Sequence, residues 1–377
     1  MEIKKRIHWL DICKGILIMT IVLMHIEFPF WKSNDIGKYL DNLTSLYKVS
    51  IFFCIAGFTI SEEKLLKSIS YMKHKVKSVY SKIIIISIPI VLLHNFFIKI
   101  DFYRVGTNYA GKTLYYYSNI DFIKQIILTF LFAGREVMIG PMWFVNVLFI
   151  ALCIEAVLAG VINSLFKASK CKRNIRLIIC LSLMVFSSIL TNMFGITIPR
   201  ANNTLTAVFL IDLGQYIFRN KKVKFDNKFM FLGSLIILLN LPLYGYLSLN
   251  QNYYVSPSYL IMVVLTSMYV LCFLCKKIER LCFSNILEYI GKRSFYIMGF
   301  QFLSFKIGTV VLNKINILFG VDSSKILYGL TPTADTIGLL LYYFLCGIII
   351  SCFFGEVIEK IIAYIKLKKM KAEDYTI

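Results

Sequence analysis

The chain has 377 residues, of which 58% are hydrophobic and 17% charged, and its mean hydropathy is +0.70. Soluble domains run near ~45–50% apolar and ~25% charged, so this composition excludes a soluble globular protein and indicates a polytopic membrane protein. The net charge of +21 comes from 42 Lys and Arg against 21 Asp and Glu; in so apolar a chain it reads as basic loops that orient the spans, not as a nucleic-acid surface.

A bilayer span needs ~20 mostly apolar residues. Ten stretches qualify in chain order: 9–29, 46–61, 82–100, 142–165, 177–196, 204–218, 229–248, 257–275, 294–313 and 335–360. The run 120–133 is shorter and reads as an amphipathic or re-entrant piece of the longest outer segment, 101–141. That segment contains "YAGKTLYYYSNIDF" and is long enough for a lid or a binding surface. With Lys4, Lys5 and Arg6 in the cytosol, the segments on that side hold 29 basic residues and the outer ones 10, with the same sign at every loop. The expected fold is therefore all-α: one integral-membrane domain over 1–377, ten transmembrane helices, both termini cytosolic, and 366–377 as a cytosolic tail. The first apolar run lacks a small-residue cleavage site and is long enough to remain as a helix.

Within the first span, Lys14 and His25 are eleven residues apart, so they differ by ~20° around the helix and ~16 Å along it. Asp11 precedes Lys14 by three and joins the same face. The resulting stripe is Asp11, Lys14, Ile18, Ile21 and His25, with Asp11 and Lys14 near the cytosol and His25 near the outer surface. Each group alone reads equally as an interfacial residue: a snorkelling lysine, its acid partner, an interfacial histidine. Three on one stripe favour a cavity or a partner, because intramembrane charges are costly. Histidine also moves protons well near neutral pH.

Further polar groups fall in spans: His94 and Asn95, Asn146 and Glu155, Asp212 and Gln215, Gln301 and Lys306. Glu155 and Asp212 are candidate partners for Lys14 or Lys306, or members of a structural interhelical pair. Most of the ten cysteines lie in apolar runs and behave as small hydrophobes. Cys272 and Cys275 form a CxxC inside an apolar helix, with no His or carboxylate beside them, so no metal site is expected.

Residues 9–25, "WLDICKGILIMTIVLMH", resemble the first helix of the membrane-bound acyltransferase-3 family, especially its fucose-4-O-acetylase-like branch. The family pattern is Leu-Asp, then a basic residue, Gly, and a His eleven positions after the basic residue; Asp11, Lys14, Gly15 and His25 fit it. Further similar segments follow in order: "FFCIAGF" (52–58), "GPMWFVNVLF" (140–149), "FLIDLGQYIFRNKK" (209–222) and "IGKRSFYIMGFQ" (290–301), where Gln301 stands at a frequent family histidine.

The resemblance implies an acyltransferase that moves an acyl group, usually acetyl from cytosolic acetyl-CoA, to a sugar hydroxyl of an envelope glycan. His25 becomes the catalytic histidine, as general base or transient acyl carrier. Lys14 engages the donor, and Asp11 orients it. Lys73, Lys75 and Lys77 after the second span suit coenzyme A phosphates, or are ordinary inward-facing loop lysines. Arg135, Glu136 and Trp143 lie toward the acceptor side, where Trp143 could stack on a sugar or belong to the interfacial belt. The expected partners are membrane lipid, acetyl-CoA and a surface polysaccharide or its lipid-linked precursor, with no nucleic acid and no metal; a homodimer is compatible with the sequence. Two rival classes suit the same composition, a proton-coupled transporter and a structural protein of a glycan-export machine. No internal two-fold repeat favours the first, and the second needs no charged stripe.

Overall fold

The computed structural model describes residues 7–109, 112–134, 136–166, 171–198, 200–219, 223–318 and 330–374. The chain is mostly helical. The first half runs α1 (His8–Met24), α2 (Phe30–Ser33), α3 (Asp35–Tyr47), α4 (Ser50–Phe58), α5 (Glu62–Leu66) and α6 (Ser68–Lys75). A π turn, Val76–Tyr80, then leads into α7 (Ser81–Leu92) and α8 (His94–Lys99). A two-residue hairpin, β1 (Asn108–Tyr109) and β2 (Lys112–Thr113), and α9 (Asn119–Phe130) precede α10 (Trp143–Leu165). The second half holds α11 (Lys172–Asn192), α12 (Ala201–Arg219) and α13 (Lys228–Asn240). After these come the hairpin β3 (Leu247–Ser248) and β4 (Tyr253–Tyr254), then α14 (Pro257–Ile278), α15 (Ser284–Lys292), α16 (Ser294–Leu318) and α17 (Ile337–Asp374).

Five described stretches are long and apolar enough to cross a bilayer: Gly140–Leu165, Lys172–Asn192, Pro257–Ile278, Ser294–Ile315 and Ile337–Ile365. The other five expected spans fall on shorter, less apolar or interrupted helices. The run 9–29 is the 17-residue α1. The run 46–61 straddles the end of α3 and the nine-residue α4, which at 1.5 Å per residue covers under half of a ~30 Å hydrocarbon layer. The interruption has a local cause: Ser50 Oγ donates to the Leu46 carbonyl at 2.8 Å, a back-bond that bends helices. The run 82–100 breaks at Leu93, between α7 and α8.

Helix α1 is the hub. It touches α4, α14, α15, α16 and α17, and Ile12, Cys13, Leu17, Ile18 and Val22 are fully buried. A helix that is apolar around all but one narrow stripe belongs inside a bundle. By contrast, Phe229 and Leu243 around α13 and Ile337 and Phe353 on α17 project outward, as lipid-facing residues do. Helix α9 is inverted in the same sense: Gln125 and Thr129 are buried while Ile120 and Ile123 are exposed.

Two pairs of glycines set the closest helix contacts. A Cβ at Gly15 would lie 2.2 Å from the Leu287 carbonyl oxygen, and one at Gly291 would lie 1.8 Å from that of Asp11. Likewise, a Cβ at Gly57 would meet the Ile211 oxygen at 2.0 Å, and one at Gly214 the Cys54 oxygen at 2.1 Å. Backbone-on-backbone packing of this kind holds helices together where no hydrophobic force acts between them. It draws α15 onto α1 and α12 onto α4.

Candidate functional site

Close packing of α1 on α15 places their basic residues around one cavity of about 260 Å³. Lys14 comes from α1, Lys75 from the end of α6 and Lys292 from the end of α15; Phe52, Phe144, Leu148 and Met298 supply apolar wall. Lys14 Nζ donates to Asp11 Oδ1 at 3.0 Å, and the Asp11 side chain is almost fully buried. The acid one turn earlier therefore fixes the direction of the ammonium. Lys75 lies over the Tyr71 ring at 5.1 Å, and burial pushes its ammonium below the ordinary lysine value. Lys292 pairs with Glu288, which also bonds His8 Nδ1 at 3.1 Å. The Lys292 ammonium, with His8 beside it, holds the Glu288 carboxyl below its usual value. Lys73 and Lys77 are exposed and do not line this cavity. Of the three candidates after the second span, the structure brings Lys75 to Lys14.

His25 caps the other end of α1 and lines a second cavity, of about 190 Å³. The ring is half-buried, edge-on to Phe302 with centroids 5.3 Å apart. Its Nδ1 lies 2.7 Å from the Ile21 carbonyl oxygen. A carbonyl only accepts, so Nδ1 carries the hydrogen and Nε2 of the neutral ring keeps a lone pair. Trp143 at the start of α10, Lys48 at the α3–α4 junction and the strip Tyr246–Asn250 complete the lining. Asn203 of α12 holds that strip by donating to the Leu249 and Asn250 carbonyls at 2.5 and 2.8 Å. Asn252, with φ of 53°, turns the hairpin and donates to Ser187 Oγ of α11 at 2.8 Å.

The charged stripe thus serves two cavities: Asp11 and Lys14 line one, Ile21 and His25 the other. Phe144 and Met298 line both. An aromatic ring and a flexible thioether make up this shared wall.

Glu155 and Asp212, candidate partners of Lys14 or Lys306 or members of a structural interhelical pair, take the second role and meet two arginines of α11. Arg176 grips Glu62 with two bonds of 2.8 and 2.9 Å, and its Nε lies 2.9 Å from Asp212 and 3.1 Å from Glu155. Its Nη2 also donates to Gln215 at 2.5 Å, and Arg173 pairs with Asp212. Lys14 is already satisfied by Asp11, and the guanidinium forks match several carboxylates at once. Glu155, Cys180 and Asp212 bring ligand atoms within 4.8 Å of one another, but the guanidinium groups already neutralise the acids. The network joins α5, α10, α11 and α12 and lines neither cavity.

Glu136 is also occupied elsewhere. It bonds His94 Nδ1 at 2.7 Å, Tyr103 Oη and the Met138 N–H at 3.2 Å, while His94 stacks on Tyr117 with centroids 3.6 Å apart. This cluster ties the long segment after α8 to the bundle. Burial, with Glu136 alongside, pushes the Tyr103 hydroxyl well above the ordinary tyrosine value. Glu136 shares a small cavity of about 60 Å³ with Trp143, Asn146 and Arg200. Arg135 lies outside the described residues. Gln301 is buried, with its amide nitrogen 3.9 Å from Met298 Sδ.

Reading the sequence alone missed Lys292, Lys48 and the Tyr246 strip as cavity residues. Lys292 had a signal, since it follows Gly291 in the "GK" pair. The strip had none, because only the hairpin's anchorage carries it to His25.

No curated protein and no solved structure matches the chain. The model of the acyltransferase domain matches residues 7–358, which takes in α1, both cavities and α17 as far as Ile358. The protein is a membrane acyltransferase, and the chain belongs to the acyltransferase-3 family.

Proposed function

We propose that the protein is an O-acetyltransferase of the plasma membrane, carrying acetyl from cytosolic acetyl-CoA to a sugar hydroxyl of a surface polysaccharide or its lipid-linked precursor. In this reading the chain crosses ten times, with both termini in the cytosol. The observation that carries it is the pair of cavities served by α1: one ringed by Lys14, Lys75 and Lys292, the other holding His25, with Phe144 and Met298 between them.

The chemistry of the Lys14 cavity suits a phosphorylated thioester. Three ammonium groups attract phosphates as point charges, and the apolar walls accept an acyl-bearing arm. Positive-inside bias favours the cytosol for this end. The acceptor sugar enters on the His25 side, where Trp143 offers a ring face. His25 Nε2 takes the hydroxyl proton as the sugar oxygen attacks the thioester carbonyl. The C–O bond forms, the C–S bond breaks, and the imidazolium returns the proton to the departing thiolate. Alternatively Nε2 itself attacks the thioester carbonyl, the C–S bond breaks and the thiolate departs, leaving an acetyl-imidazolium; the sugar oxygen then takes the acetyl group as the N–C bond breaks, and the hydroxyl proton goes to the thiolate. Both routes use the lone pair left free by the Ile21 bond. Either way the thioester must reach past Phe144 and Met298, and Met298 has the rotamer freedom to yield. Two cavities of unlike chemistry favour group transfer over carriage of one solute.

The test is acetylation by membranes containing the full chain, given labelled acetyl-CoA, together with NMR of O-acetyl signals in the envelope glycan. His25→Ala is expected to lower transfer by about 10²–10⁴-fold while the protein stays in the membrane. Lys14→Ala is expected to raise the KM for acetyl-CoA. An unchanged acetyl content in a deletion strain refutes the proposal for that glycan.

A further inference from the structure

The His25 cavity holds a cation that the transfer chemistry does not use. Lys48 sits where α3 ends and α4 begins, and lines the cavity with His25, Ser45, Trp143, Tyr246 and Ser248. The three lysines lining the Lys14 cavity each have a partner nearby: Lys14 has Asp11, Lys292 has Glu288, and Lys75 has the Tyr71 ring. Among the described residues, no carboxylate forms an ion pair with Lys48. Asp41, seven residues earlier on α3, acts on it only through space.

Such an ammonium, half-buried beside an apolar wall, is costly unless an anion meets it. The surroundings offer hydroxyl and amide groups but no negative charge among the lining residues. Ser45 Oγ is spent on the Asn42 carbonyl at 2.7 Å. The Tyr246–Asn250 strip is anchored through Asn203, so its polar groups are held in place rather than free to fold over the lysine. The cavity thus presents one positive group, one imidazole and one indole. That set matches a sugar residue that bears a negative group near the hydroxyl to be acylated.

We propose that the His25 cavity is an anionic-acceptor site, in which Lys48 holds a carboxylate or phosphate carried by the acceptor sugar while His25 faces its hydroxyl. The proposal rests on the reading that this cavity takes the acceptor. It narrows that acceptor to acidic or phosphorylated glycan, and it makes Lys48 a specificity residue whose contribution lies in acceptor binding. A charge-assisted contact of this kind supports a preference of about tenfold or more over a neutral sugar.

The experiment uses the purified full chain in detergent, with glucose, glucuronate, glucose 1-phosphate and inorganic phosphate as probes. Thermal stability reads binding, and acetyl transfer from labelled acetyl-CoA reads turnover. Glucuronate or glucose 1-phosphate is expected to stabilise the protein at concentrations at least tenfold below those needed for glucose, and the better of the two identifies the source of the charge. Lys48→Met is expected to bring the charged-to-neutral ratio of kcat/KM close to one, through acceptor KM, with Lys48→Arg retaining the preference. Should Lys48→Met fail to give a monodisperse protein, Lys48→Gln replaces it. His25→Ala is expected to lose transfer yet keep the stabilisation by charged sugars. Equal use of glucose and the charged sugars, or a preference that survives loss of the Lys48 charge, overturns the proposal and leaves the acceptor reading standing. Full stabilisation by inorganic phosphate alone also overturns it, as an adventitious ion only. If no sugar either stabilises the protein or takes acetyl, the acceptor reading fails and Lys48's role falls with it.

Discussion

Gly291→Ala tests whether the α1–α15 contact builds the Lys14 cavity. A Cβ at this position would stand 1.8 Å from the Asp11 carbonyl oxygen, 2.8 Å from its carbon and 2.8 Å from the Gly15 nitrogen. All three are backbone atoms, so no side chain can rotate away. Ordinary contact begins near 3.4 Å, so the two helices must part by about 1.6 Å. Overpacking of a tight core costs about 1–3 kcal/mol, and rigid backbone on both sides puts this case at the upper end. The same displacement carries Lys292 away from Lys14, and a misplacement on the order of 1 Å costs about 10²-fold in rate. Thermal unfolding of the purified protein and initial rates of the proposed acetyl transfer measure the two effects. Gly233→Ala is the control: nothing lies within 4 Å of a Cβ there, so the change is expected to be neutral or stabilising by up to about 1 kcal/mol. A Gly291→Ala protein with unchanged melting temperature and unchanged donor KM would refute the role of that contact.

Two further outcomes follow from charged groups. Arg176→Met leaves Glu155 buried without its ion-pair partner and Asp212 with Arg173 alone and is expected to destabilise by about 3–5 kcal/mol; adding Glu155→Gln should restore part of the loss, and a single mutant that melts like the parent contradicts the account. The Glu288 carboxyl titrates below its unfolded value because Lys292 and His8 hold it ionised. Its stabilising contribution is therefore fully present above about pH 4.3 and is lost as pH falls through the lower, folded-state pKa. Glu288→Gln is expected to flatten the fall in melting temperature below about pH 5, and an identical pH profile in the variant would exclude this pair as a source of acid sensitivity.

Much of the site was legible because helical spacing is a local property. Asp11, Lys14 and His25 lie on one helix, so their order along its axis follows from 1.5 Å per residue with no knowledge of neighbours. Gly15 and Gly291 could be read as motif positions, but their partnership could not, since 276 positions separate them. Arg176 shows the opposite error. It counts naturally as a basic residue in a cytosolic loop, yet α11 already begins at Lys172 and folds it against three acids from three other elements. Arg173 and Arg176, three apart at a helix start, were the available hint of a common face.

Composition by itself determined the membrane class, because too few polar residues exist to cover a soluble surface of this size. The amino-acid order determined the charged stripe of α1, and its motifs pointed to the acyltransferase-3 family. Only the tertiary structure decided that the stripe divides between two cavities, because that depends on Phe144 from α10 and Met298 from α16 meeting beside α1. It likewise decided that Glu155 and Asp212 belong to Arg176, and that Lys48 shares a cavity with His25. Partners in a buried network are chosen by which helices pack together, and in this chain that choice lies in glycine contacts between backbones far apart in sequence.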